Sequence, residues 1–244
     1  MNQNVFITGV SSGIGWALAK TYLEQGARVF GLSRRPPPEI ARHARFKFQA
    51  LDLADSEAIN PGIKGLLSSA EKLDLAVLNA GILGKVADLQ ETSFAEIQPV
   101  MNVNVWANKF IIDSLFALAI PIHQVVAISS GAATVAKRGW NAYSLSKAAL
   151  NMLIALYAAE CSDTHFCALA PGIIDTAMQD QISALPPDPR FDSLEMLRQA
   201  KGTPLMPAPE RAAGRLIEGI RGAKNYPSGA FLDINALVRP EWKR

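Results

Sequence analysis

The chain has 244 residues, 49% hydrophobic and 19% charged, with a net charge of +2. That length and composition predict one packed α/β domain over residues 1–244 and exclude intrinsic disorder. The mild, scattered charge carries no basic run interleaved with aromatics, so nucleic acid is not expected as a partner.

The opening residues MNQNVFITGV carry no charged leader and too short an apolar core for a targeting segment. From there, short apolar runs alternate with helical patterns. Strands are expected at Val5–Thr8, Arg28–Leu32, Phe46–Ala50, Leu73–Leu78, Gln124–Ser129, Phe166–Ala170 and Ala230–Leu232. Helices are expected at 14–25, 56–70, 94–118, 141–161 and 209–221, the first ended by Gly26. Such alternation implies right-handed βαβ units: a Rossmann-type, doubly wound parallel sheet of about seven strands with helices on both faces. The stretch FIIDSLFALAIPI contains Asp113 and is broken at Pro121, so no membrane span is expected. Cys161 and Cys167 suggest free thiols in a reducing, cytoplasmic compartment, and the dispersed His43, His123 and His165 lack metal-ligand spacing. The segment 180–209 stands apart: six prolines from Pro186 to Pro209 surround FDSLEMLRQA. It reads as a surface excursion with its own small helix, either a substrate lid or an unstructured loop.

Between the first strand and the first helix lies TGVSSGIG. Glycines there let backbone approach a pyrophosphate at a helix N-terminus, so Thr8, Gly9, Ser11, Ser12, Gly13, Ile14 and Gly15 are candidate cofactor residues. At the end of the second strand an NAD-binding chain would place a carboxylate; this one has Ser33, Arg34 and Arg35. A guanidinium pair suits a 2′-phosphate, which points to NADP(H), with two solvated arginines as the alternative. Asp52 and Leu53 close the third strand, where they would meet an adenine. Asn79, Ala80 and Gly81 close the fourth, on the same edge of the sheet.

The stretch ISSGAATVAKRGWNAYSLSKAAL puts Tyr143 and Lys147 four residues apart on one helix face, with Ser130 at the end of the fifth strand. Asn104 lies on the preceding helix. With the glycine turn, Asp52, Asn79-Ala80-Gly81 and PGIIDT at 171–176, these motifs stand in the order found in the short-chain dehydrogenase/reductase family, which the chain resembles over nearly its whole length. Leu78 departs from the second asparagine often found there. SSGAA, RGWNAYSLSKAALNM and PGIIDTAMQ resemble the sepiapterin reductase and benzil reductase branch, and SGAFLD (228–233) resembles a tail that contacts pterin.

The resemblance implies an oxidoreductase with Asn104, Ser130, Tyr143 and Lys147 as catalytic residues. Tyr143 would donate a proton to a carbonyl oxygen held by Ser130, while hydride comes from the nicotinamide cofactor. Asn104 would hold a water linking Lys147 to solvent. Pro171 and Gly172 would turn the chain, and Ile174 and Thr176 would hold the carboxamide, Thr176 also suiting a helix N-cap. An ammonium ~5 Å from the phenol at an effective dielectric of ~20 is worth roughly 3 kcal/mol, or about two pKa units downward for Tyr143. Trp140 lines a substrate pocket or packs as a staple, and Asp233 anchors substrate or caps a turn. The expected activity is NADPH-dependent reduction of a small ketone, diketone or pterin-like carbonyl. The alternatives are an NADP-dependent alcohol or 3-oxoacyl dehydrogenase, and a non-catalytic NADP(H) sensor. Two long apolar helices and the family's habit imply a homodimer or homotetramer.

Overall fold

Seven short apolar runs form the strands, and the five central ones bury side chains on both faces, which is the condition for an all-parallel sheet. A computed structural model describes residues 3–237 of the chain. The strands are β1 (Asn4–Thr8), β2 (Arg28–Ser33), β3 (Phe46–Ala50), β4 (Leu75–Leu78), β5 (Gln124–Ile128), β6 (His165–Ala170) and β7 (Ala230–Asp233). Their order is β3-β2-β1-β4-β5-β6-β7, with every pairing parallel. The helices are α1 (Gly13–Glu24), α2 (Ser56–Leu66), α3 (Phe94–Met101), α4 (Ala107–Phe116), α5 (Asn141–Glu160), α6 (Ala177–Ser183), α7 (Asp192–Ala200), α8 (Pro209–Gly222) and α9 (Ile234–Leu237).

Side-chain alternation divides the core into two layers. Val5 and Ile7 of β1 pack with Leu18 and Tyr22 of α1 and with Leu216 and Ile220 of α8. Phe6, between them, points the other way, into a layer formed by Ile59 and Ile63 of α2, Ile111 and Leu115 of α4, and Leu150 and Ile154 of α5. In that second layer Phe166 is fully buried and stacks against Phe116 and Tyr157, with ring centroids 6.2 Å and 6.1 Å away. The strand order reverses between β1 and β4, so their carboxyl ends diverge into a crevice, the place where such sheets bind ligands.

The excursion at 180–209 carries a third, smaller core. Ile182, Phe191, Leu194, Leu197 and Met206 are buried together with Leu83, and the partly buried Trp140 and Tyr143 pack against them. The segment therefore rests on the rim of the crevice and is not an unstructured loop.

Three expected elements differ by more than one residue, among them the helix expected over 56–70, which ends at Leu66. The strand expected from Leu73 begins at Leu75, because Leu73 makes only an isolated bridge to Ile122. The single helix expected over 94–118 is interrupted by a π-helical turn at Asn102–Trp106 between α3 and α4. Such turns widen the hydrogen-bond ring by one residue, and they recur at functional sites.

Candidate active site

The residues after the strands meet in one cleft of about 1230 Å³, lined from the carboxyl end of every strand of the sheet. Its floor is set at the junction of β1 and β4. The Thr8 hydroxyl accepts hydrogen bonds from the backbone N–H of Asn79 and of Ala80, both at 3.0 Å. The Asn79 amide returns to the Thr8 carbonyl at 2.9 Å. This leaves room for nothing larger than hydrogen at Gly15, where a Cβ would lie 2.4 Å from the Gly9 carbonyl oxygen and 2.5 Å from Asn79 Nδ2. Gly9 and Gly13 take φ of +74° and +60°, conformations that other residues adopt at a cost. Above the turn, α1 begins at Gly13 with no acidic residue in its first turn and no side-chain cap from Ser12. Its N–H groups and dipole thus face the cleft uncompensated, which suits a bound phosphate.

At the end of β2 the Ser33 hydroxyl donates to the Arg35 carbonyl at 2.7 Å and shapes the loop. Arg34 and Arg35 line the cleft, are exposed, and have no ion-pair partner among the described residues. Asp52 accepts from Ala54 N at 3.0 Å, which fixes the turn that carries Leu53. Ala80 and Gly81 line the wall after β4, and a Cβ on Gly81 would approach both Asn104 Oδ1 and Lys147 Nζ. After β6, Gly172 turns the chain at φ +80° beside Pro171. Ile174 is buried in the first core layer yet reaches the cleft wall. Thr176 stands at the N-cap position of α6 without a capping side-chain bond, and its methyl group lies against Gly13.

The four expected catalytic residues come together. Lys147 is buried and donates from Nζ to the Ile128 carbonyl at 2.7 Å; Nζ lies 5.7 Å from the centre of the Tyr143 ring. Ser130 follows β5, accepts from Ala132 N at 3.1 Å, and lines the cleft beside Tyr143, whose phenol it draws downward in pKa. Asn104 sits in the π turn, fully buried. Its Oδ1 accepts from Ile82 N at 2.8 Å, while its Nδ2 donates to the Ile82 carbonyl and to Ser146 Oγ, each at 2.9 Å. Thr8, Gly15 and Asn104 do not line the cleft; they stand behind its wall and shape it.

The electrostatics correct the expected shift of Tyr143. Burial beneath the excursion pushes its phenol up, opposed by the Ser130 hydrogen bond, and the neighbouring ammonium does not reverse the direction. Lys147 pays for its own desolvation: burial alone lowers it to about 8. Spacing on a helix led to a downward shift by Coulomb attraction, but it says nothing of the burial that sets the direction here.

Trp140 lines the cleft, 6.0 Å from the Tyr143 ring and tilted by 58°, and its indole N–H donates to Ser193 Oγ at 2.6 Å. Asp233 also lines the cleft, and its Oδ1 accepts from Asn235 N at 2.8 Å at the start of α9, so the capping role is present. Sequence reasoning missed Ser146, Ser193 and the apolar wall of Leu83, Met178, Ile182 and Leu197. Met178 and Ile182 share a helix face at i, i+4, a signal that was available; the partners of Ser146 and Ser193 lie too far away in sequence to be read.

Comparison with known proteins agrees with this geometry. The family profile for short chain dehydrogenases matches residues 3–186. A benzil reductase ((S)-benzoin forming) of Saccharomyces cerevisiae is 29% identical over 96% of this chain and 97% of its own. Its counterpart in Bacillus subtilis is 30% identical over 95% and 98%. The solved structure of a short chain dehydrogenase/reductase from Saccharomyces cerevisiae superposes with a TM-score of 0.84 at 25% identity, covering 97% of this chain and 98% of that one. The profile match spans well over half of the sequence, and with these relatives it shows that the chain belongs to the short chain dehydrogenase family, NAD(P)-binding oxidoreductases that act on CH–OH and C=O groups.

Proposed function

We propose that the protein is an NADPH-dependent carbonyl reductase acting on a small ketone, diketone or pterin-like carbonyl. The observation that carries this reading is the convergence of Ser130, Tyr143 and Lys147 in one cleft, with the ammonium over the phenol ring. A nicotinamide dinucleotide held in this cleft would supply the hydride chemistry, leaving position and protons to the chain. Tyr143 gives its proton to the carbonyl oxygen, Ser130 donates a hydrogen bond to the same oxygen as charge gathers there, and Lys147 holds a positive charge beside the phenol. Asn104 fixes the backbone at Ile82, which keeps the wall next to Lys147 in place.

For the cofactor, the Gly9–Gly15 turn and the α1 N-terminus would take the pyrophosphate, and Ile174 and Thr176 would take the carboxamide. Asp52 and Leu53 would flank the adenine. The preference for NADP(H) rests on Arg34 and Arg35 standing exposed where a carboxylate would serve NAD(H). In this reading residues 1–244 form one domain, and 180–209 is a substrate lid, supported by the packing of its core against Trp140 and Tyr143. A reducing, cytoplasmic setting is supported by the free thiols of Cys161 and Cys167. None of the described helices is long and apolar enough to cross a membrane. Exposed apolar side chains on the π turn and α4 (Trp106, Phe110) and on α5 (Leu145, Met152, Leu156) support a homodimer or homotetramer.

Four outcomes test the reading. Tyr143→Phe removes nearly all NADPH oxidation with benzil, isatin or sepiapterin while NADPH binding, followed by fluorescence, stays within a few-fold; wild-type turnover in this variant would refute the proton-donor role. Arg34→Asp lowers the ratio of kcat/KM for NADPH over NADH more than tenfold, whereas an unchanged ratio would leave the arginines as surface charge. As pH rises through about 8, Lys147 loses its proton while Tyr143, shifted upward, keeps its own. The kcat/KM for reduction is therefore level from about pH 6 to 7 and falls above about 8; a profile level to about pH 10 would contradict the role given to Lys147. Light scattering at micromolar concentration gives a multiple of 26.3 kDa, and a single 26.3 kDa species would rule out the oligomer.

A further inference from the structure

We propose that Ser193 is a positioning residue for this reaction: from the first turn of α7 it holds the indole of Trp140 and thereby sets the wall of the cleft beside Tyr143. The inference rests on the carbonyl-reductase reading and adds to it a residue 50 positions beyond the catalytic tyrosine (Tyr143 to Ser193).

Trp140 stands at the start of α5. Its carbonyl accepts from Ser144 N at 2.8 Å, so its backbone is built into the start of α5, three residues before Tyr143. The backbone does not fix the ring, which turns about two side-chain bonds. An indole N–H is a donor only, and its partner here is Ser193 Oγ at 2.6 Å. Ser193 is 8% exposed, and both residues line the cleft. The ring so held stands 6.0 Å from the Tyr143 ring. Its tilt decides how much space lies next to the phenol, although Ser193 touches no reacting atom.

Neighbouring contacts hold the backbone on which this bond depends. Gly139 takes φ +92°, and a Cβ there would lie 2.8 Å from the Phe191 ring, so the chain just before Trp140 packs directly on the residue just before α7. Arg190 pairs with Asp88 at 3.1 Å and Glu91 at 3.0 Å, and Arg138 forks onto Asp88 with two bonds of 2.7 Å. Exposed ion pairs contribute little singly, but these three loops share one carboxylate. Among the contacts described, the Ser193 bond is the one that acts on a side chain facing the substrate space.

Kinetics and the indole N–H signal test the proposal together. Losing one such hydrogen bond predicts for Ser193→Ala a rise of about fivefold in the KM for benzil, with a smaller change in kcat. Ser193→Thr, which keeps the hydroxyl, recovers the loss. In a Trp140→Phe background the Ser193→Ala change adds nothing, because no indole N–H remains to be held. Independently of turnover, the indole N–H resonance that disappears in Trp140→Phe moves and exchanges faster with water in Ser193→Ala. An equal loss in the Trp140→Phe background, no rescue by threonine, or an unmoved indole resonance would each overturn the proposal. A wild-type protein that reduces no ketone would instead overturn the carbonyl-reductase reading, while the indole measurement would still decide whether Ser193 holds Trp140.

Discussion

The site depends on how closely backbone can approach backbone where β1, β4 and α1 meet. Thr8 and Asn79 knit the two strand ends together through hydroxyl and amide bonds, and the helix enters so near that a methyl group at residue 15 would collide with the Gly9 carbonyl. Loosening that junction would separate the carboxyl ends of the central strands, and with them the loops that carry Arg34, Gly81 and Ser130. The glycine turn therefore fixes the point from which the cleft opens, and in the proposed reading it would also admit a phosphate.

Burial then governs the chemistry. An ammonium and a phenol placed side by side in water would each keep close to ordinary behaviour. Beneath the small core formed by Phe191, Leu194 and Leu197, both are desolvated, and both shift toward their neutral forms. The phenol holds its proton more firmly and the lysine gives its own up more readily. That arrangement favours a tyrosine that waits as a loaded donor, with a lysine whose charge is held mainly by the Ile128 carbonyl until other partners arrive.

Most of the scaffold was legible in the residue order. Apolar runs of strand length fell at the seven strands because both faces of the sheet are covered, and Gly9, Gly13 and Gly15 marked the turn because backbone conformation and close approach demand glycine there. Arg34 and Ser130 were singled out by their places after strand ends, and Tyr143 and Lys147 by their spacing on one helix and by the family resemblance; the fold brings all four to one cleft. Leu73 was assigned to a strand because apolar character says nothing of whether a ladder continues. The break at Asn102–Trp106 left no trace, since a wide turn has no composition of its own. Ser193 and Ser146 were illegible for another reason: each acts through a partner more than forty residues away, and only the folded chain brings the pairs together.

The π turn has one more consequence. A helix of uniform pitch presents its side chains at a fixed angular step, so residues suited to the sheet at one end dictate what faces outward at the other. Inserting a single wide turn breaks that dependence, acting as a phase slip between two gears on a shared axle. Downstream, Ile111 and Leu115 mesh with the sheet; at the slip itself, Asn104 meshes with the loop at Ile82. The extra residue shifts the phase between the two engagements, so the asparagine keeps its seat at Ile82 while the helix beyond it still turns its apolar side chains to the sheet.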